Sequence, residues 1–210
     1  MIVSVSGACS RSGKTAAAVA LVEALPRHSA LAVKFTTTEE TFVRCPRGTP
    51  CVVCDIDVPF RLVEDPAVLR EPGTDTDRLA TAGARRVVWA IAKGSAARQA
   101  WEAVCERMDG GPVVMEGSTV VGLARPDVHV FVAHPFLLPE RWKPTTPALV
   151  ESADLVVVNC PAGERRQPSA SVLAALARHR AGREVRMADV ARPLAEWAPE
   201  LLARLCPVLA

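Results

Sequence analysis

The chain has 210 residues, half of them in the hydrophobic set, with 25 basic against 23 acidic side chains and a net charge of +2. This suffices for one α/β domain with a filled core, and so balanced a charge excludes whole-molecule attraction to nucleic acid or to an acidic membrane. Seven cysteines is an odd number, and no basic leader precedes the apolar residues 2–5, so we expect a cytoplasmic protein using thiols for chemistry or metal ligation rather than a disulfide framework.

In chain order, short apolar and β-branched runs predict strands over 2–6, 30–35, 86–92, 112–116, 128–133, 154–159 and 184–187. Ala- and Leu-rich segments predict helices over 14–25, 75–82, 95–108, 148–153, 169–180 and 194–205. The alternation is that of βαβ units around a buried sheet, so the expected architecture is a doubly wound, mostly parallel, three-layer α/β domain. Gly83 and Gly182 follow predicted helices, and Pro193 stands where a first helical turn accepts it. The longest apolar runs are strand-sized, far below the ~20 residues of a membrane-spanning helix. We read residues 1–210 as a single domain. Residues 36–73, rich in Thr, Pro and Cys and poorly periodic, form an insertion of the length that usually carries function.

The sharpest motif is Ser6-Gly-Ala-Cys-Ser-Arg-Ser-Gly-Lys-Thr15, which from Ala8 onward reads A-x-x-x-x-G-K-T between a predicted strand and a predicted helix. That context is the one a phosphate-binding P-loop requires. Backbone N–H groups of Ser10, Arg11, Ser12, Gly13 and Lys14 surround a phosphate in such a loop, and the helix N-terminus adds partial positive charge. Gly13 permits close approach, Lys14 reaches the β- and γ-phosphates, and the Thr15 hydroxyl completes a Mg²⁺ shell. The plain alternative is a turn that merely starts a helix.

A carboxylate is needed to hold the metal's water, and Glu116 ends the strand 112–116 where parallel strands converge on a ligand edge. Its alternative is a strand-end Glu facing solvent. Asn159 ends strand 154–159, where its amide could read a purine edge or simply form a turn.

Three features in order resemble the molybdopterin-guanine dinucleotide biosynthesis protein B family: the SGxxxSGKT cradle, the segment Glu71-Pro-Gly-Thr-Asp75-Thr-Asp-Arg-Leu-Ala-Thr-Ala-Gly83-Ala84, and Val114-Met-Glu116-Gly117. Lys34 also falls where that family carries a strand-end Lys. The resemblance covers roughly residues 2–133. It implies a SIMIBI-class P-loop fold, Mg²⁺-dependent GTP or ATP binding, homodimerisation, and Asp75 and Glu116 as site residues. Two positions differ. Phe35-Thr-Thr-Thr-Glu-Glu40 stands where that family is His-rich, and Cys9 stands where related partitioning ATPases carry an extra Lys, which argues against a dimer-bridging lysine.

The insertion contains Cys45-Pro-Arg-Gly-Thr-Pro-Cys51-Val-Val-Cys54-Asp-Ile-Asp57. Three thiolates at this spacing suit Zn²⁺ or an iron–sulfur cluster, with a fourth ligand from Cys9, Asp55, Asp57, a second subunit or an open position. The alternative is a loop with free thiols. Asp57 is also a candidate for the Mg²⁺ shell. Cys105, Cys160 and Cys206 read as core residues, the four tryptophans as core or interface, the four histidines as non-catalytic, and the arginines around 165–166 and 178–186 as solvated faces.

The expected function is Mg²⁺-dependent binding and slow hydrolysis of GTP or ATP, with Lys14, Glu116 and Asp75 acting on the phosphates. It is coupled to the biosynthesis or handling of a metal or a molybdopterin-type cofactor, with a cofactor-biosynthesis protein as partner. The alternatives are a small-molecule kinase with its acceptor in 36–73, and a metal- or redox-responsive nucleotide-binding adaptor with negligible turnover.

Overall fold

The computed structural model describes residues 1–38, 56–181 and 183–205. The β-branched runs assemble an eight-stranded sheet from β1 (Ile2–Ser6), β2 (Leu31–Thr38), β3 (Phe60–Val63), β4 (Arg86–Lys93), β5 (Val113–Glu116), β6 (Val128–Ala133), β7 (Leu155–Asn159) and β8 (Val185–Ala188), in the order β3-β4-β2-β5-β1-β6-β7-β8. Every neighbouring pair is parallel except β3 with β4. The central strands are buried along nearly their whole length, as strands covered on both faces must be.

Nine helices are present among the described residues. On one face lie α1 (Lys14–Glu23), α3 (Asp75–Thr81), α8 (Leu194–Trp197) and α9 (Pro199–Leu205), which meet Val3, Val5, Ala32, Val114 and Val130. On the other, α4 (Ala97–Cys105) and α5 (Val121–Ala124) cover β2, β4 and β5, while α6 (Thr146–Ser152) and α7 (Ala170–His179) cover β6 and β7. The short α2 (Pro66–Leu69) precedes α3. The result is an α/β architecture with a mostly parallel sheet between two helical layers, consistent with the doubly wound arrangement. α1 buries Ala17, Ala18, Ala20, Leu21 and Val22, because it is wedged between the sheet and the other helices of its layer, so apolar residues occupy most of its circumference. No helix among the described residues is long and apolar enough to cross a membrane.

Several sequence expectations are corrected. The 36–73 insertion is not uniformly irregular: β2 runs on to Thr38, and β3 and α2 lie inside it. β3 was missed because four residues are too few to show a period. The helix expected over 194–205 breaks at Ala198, whose φ of −149° and ψ of 61° are not helical, since the following Pro199 disfavours the helical conformation in its neighbour. The helix expected over 95–108 is regular only over Ala97–Cys105, after a 3₁₀ turn at Gly94–Ala96. Its buried face is Ala97, Ala100, Trp101 and Val104, which leaves Cys105 exposed. Arg180 is not solvated: it is buried and donates to the carbonyls of Ala153 and Asp154.

Candidate functional site

The strand order places the end of β1 between the ends of β5 and β6. From β1 the chain crosses toward β2 on one side, and from β6, the neighbour of β1, it crosses to β7 on the other, so the loop 7–13 sits where connections run in opposite directions. In open α/β sheets that crevice is where ligands bind.

The loop is shaped by its small residues. Gly13 has φ 105°, a left-handed conformation, and a Cβ there would lie 2.5 Å from Asn159 Nδ2. At Gly7 a Cβ would lie 2.5 Å from the Val132 carbonyl oxygen and 2.7 Å from Ser12 Oγ. Ser118 ties Gly7 down, accepting from its N–H at 3.2 Å and donating to its carbonyl at 3.0 Å. Arg11, exposed at the tip, is held at φ 62°, a conformation that costs a non-glycine residue ~1 kcal/mol or more. α1 then starts with no side-chain cap and no acidic residue in its first turn. Among the described residues, the N–H groups of residues 10–15 have no protein acceptor, and buried Ser12 Oγ has none either.

Lys14 turns back over the loop and donates to the Cys9 carbonyl at 2.5 Å. Burial pushes its ammonium below the ordinary lysine value, Glu116 opposes this, and Lys34 adds to it. The Cys9 thiol is pushed up by burial, against the pull of Lys14 and Lys143.

Beneath Lys14 lies a compact ionic cluster. Sheet register pairs Lys34 of β2 with Glu116 of β5, and Lys34 Nζ donates to Glu116 Oε1 at 2.6 Å and to Asp75 Oδ2 at 2.7 Å. Thr15 Oγ1 donates to the other Glu116 oxygen at 2.9 Å. Asp75 arrives as the first residue of α3, whose start is fixed by Thr74, the side chain of which accepts from the Asp77 N–H at 3.2 Å. The Glu116 side chain is 2% exposed, Lys34 18% and Asp75 40%, so the cluster opens toward solvent on the Asp75 side. Burial alone lowers Lys34, yet Glu116 and Asp75 outweigh it and leave its ammonium above the ordinary value. Burial likewise raises Asp75, and Lys34 outweighs it, leaving the carboxyl lowered.

Thus Lys14, Thr15, Asp75 and Glu116 converge, although Asp75 is distant from the others in sequence. Glu116 faces inward rather than to solvent. Lys34 is the residue that sequence reasoning did not place in the site, and its signal was a lone charge inside the apolar run Leu31-Ala-Val-Lys34-Phe35. Ala8, Ser10, Arg11, Ser12 and Gly13 form the loop itself. Asn159 lies against that loop. Its Oδ1 accepts from the Val190 N–H at 3.4 Å and its amide nitrogen abuts Gly13, so it packs against the loop. Asp57 stays out of the cluster: its side chain is 85% exposed and pairs with Arg61 at 3.5 Å, because β3 carries it to the far edge of the sheet. Cys45, Cys51, Cys54, Asp55 and Cys206 lie outside the described residues. Among the described residues no group of His, Cys, Asp and Glu is arranged to hold a metal by side chains of those types alone.

No protein family, curated protein or solved structure gives a significant match to this chain.

Proposed function

We propose that this protein is a P-loop nucleotide-binding protein that binds GTP or ATP with Mg²⁺ and hydrolyses it slowly. The observation supporting this reading is the loop that opens an uncapped helix at Lys14 and Thr15, in which the N–H groups of residues 10–15 have no protein acceptor among the described residues. A helix N-terminus with neither cap nor acid leaves orphan donors and partial positive charge, which an anion satisfies. Glu116, Asp75 and the Thr15 hydroxyl offer the hard oxygen donors that suit Mg²⁺. Such an ion would neutralise charge on the phosphates and orient them. Lys14, its ammonium pointed into the loop by the Cys9 carbonyl, needs only to exchange that carbonyl for a phosphate oxygen. Phosphoryl transfer asks mainly for placement and charge stabilisation, which these groups supply.

The segments 71–84 and 114–117, through their resemblance to the molybdopterin-guanine dinucleotide biosynthesis protein B family, support a cargo that is a metal or a molybdopterin-type cofactor, with the cysteines of the insertion as its ligands and a second copy of the chain as partner. Metal and sulfide analysis of anaerobically purified protein tests this: metal present in the wild type and lost in Cys51→Ser/Cys54→Ser supports it, and metal-free wild type overturns it.

The central test is Lys14→Ala. We expect the fluorescence titration of a nucleotide analogue with Mg²⁺ to show affinity weakened at least ~10-fold, with turnover falling by ~100-fold, since the lost ammonium acts on phosphate charge. Unchanged affinity and turnover would sink the assignment. Stoichiometric phosphoryl transfer to a small acceptor in the same assay would favour the kinase alternative.

A further inference from the structure

The ammonium of Lys34 occupies the middle of the oxygen donors that suit a divalent cation. Both of its strong hydrogen bonds go to Glu116 and Asp75, at 2.6 and 2.7 Å, and the remaining Glu116 oxygen is taken by Thr15. Every oxygen of the buried carboxylate therefore has a hydrogen-bond donor without any metal, and Lys14 beside the Lys34, Glu116 and Asp75 cluster, whose own charge sums to −1, brings the local charge to zero. A dication and an ammonium drawn to the same carboxylate repel strongly at the separation that a shared ligand imposes. They coexist only when additional negative charge arrives. The N–H groups of residues 10–15, which have no protein acceptor among the described residues, and the ammonium of Lys14 mark where such negative charge would settle.

We propose that Lys34 is the resident cation of this site: its ammonium holds Glu116 and Asp75 and keeps divalent ions out until a polyphosphate supplies the charge to admit one. The proposal rests on the nucleotide-binding reading. It makes binding ordered, with the divalent ion entering together with the anion and not before it. In the empty protein Lys34 also saves Glu116 from being an unpaired buried charge.

The probe is Mn²⁺ alone, with the unbound ion followed by electron paramagnetic resonance on nucleotide-free protein whose folding is checked by circular dichroism. We expect wild type to bind Mn²⁺ weakly, K34M to bind it at least ~10-fold more tightly because the competing charge is gone, and K34M/E116Q to lose that gain. Equal affinity in wild type and K34M overturns the proposal, as does a gain that survives E116Q. K34Q, which keeps an amide donor to the carboxylates, takes the place of K34M if the latter does not fold. Stoichiometric uptake of Mn²⁺ at low micromolar concentration by nucleotide-free wild type overturns the proposal whatever the variants do. Failure of the underlying reading shows separately, as absence of nucleotide binding by wild type in the presence of Mg²⁺.

Discussion

A residue outside the proposed site gives the protein a titratable weak point. His129 is 3% exposed, with Nε2 2.7 Å from Ser6 Oγ and Nδ1 3.2 Å from Ser152 Oγ. Ser152 donates its own proton to the Leu149 carbonyl, so it accepts from Nδ1–H and Ser6 donates to Nε2. This arrangement satisfies both nitrogens of the neutral ring. Burial lowers its pKa from 6.5 to about 4, with Asp154 opposing and Arg180 assisting. The folded value lies below the unfolded one, so the unfolded chain takes up a proton first as pH falls. Stability is therefore full above pH ~6.5 and is lost by about 3 kcal/mol as pH drops toward 4. Urea denaturation across that range should show the loss in wild type and a flatter profile in His129→Gln. The same slope in both would refute the assignment.

At the scale of elements, the cluster depends on how α3 begins. Thr74 caps the helix by accepting from the Asp77 N–H and is itself held by donating to the Glu71 carbonyl at 2.7 Å. Because Asp75 is the very next residue, the cap sets the backbone from which that carboxylate reaches Lys34. Thr74→Ala should cost ~1 kcal/mol of stability, the usual worth of an N-cap, measured by chemical denaturation, with Thr74→Ser restoring it. A null effect would mean that α3 is positioned by Thr76 and Leu79 packing alone. By contrast, α1 begins with a glycine in left-handed conformation and no cap, which leaves its first N–H groups without a side-chain acceptor.

For the whole molecule, ligand binding and folding are linked. A ligand that binds only the folded state at ~100 times its Kd adds about 2.7 kcal/mol, which for a chain of this size corresponds to a rise in Tm of roughly 5–10 °C. We expect that shift in a thermal scan with GTP or ATP plus Mg²⁺, and its disappearance in Lys14→Ala. No shift with either nucleotide in wild type would count against the proposed function. Since the loop joins β1 to α1 at the centre of the sheet, its ordering should be felt by the cooperative unit as a whole rather than at an edge.

Much of this was legible in the chain. The hydrophobic runs at 2–6, 128–133 and 155–158 announce buried strands by composition alone, and Gly13-Lys14-Thr15 announces the loop that joins β1 to α1, because both signals are local and depend on backbone geometry within a few residues. Glu116 was recognisable as a strand-end acid. What local pattern cannot carry is partnership across the sheet. That Lys34, Asp75 and Glu116 form one cluster follows from β5 inserting between β1 and β2 and from the register that sets Lys34 beside Glu116. Arg180 and Cys105 were misread for the same reason: which side of a helix is buried, and what carbonyl waits beneath it, is decided by the neighbouring elements. Short-range chemistry determined the strands and the glycine-bearing loop that opens α1, and only the tertiary fold decided that Lys34, Asp75 and Glu116 meet.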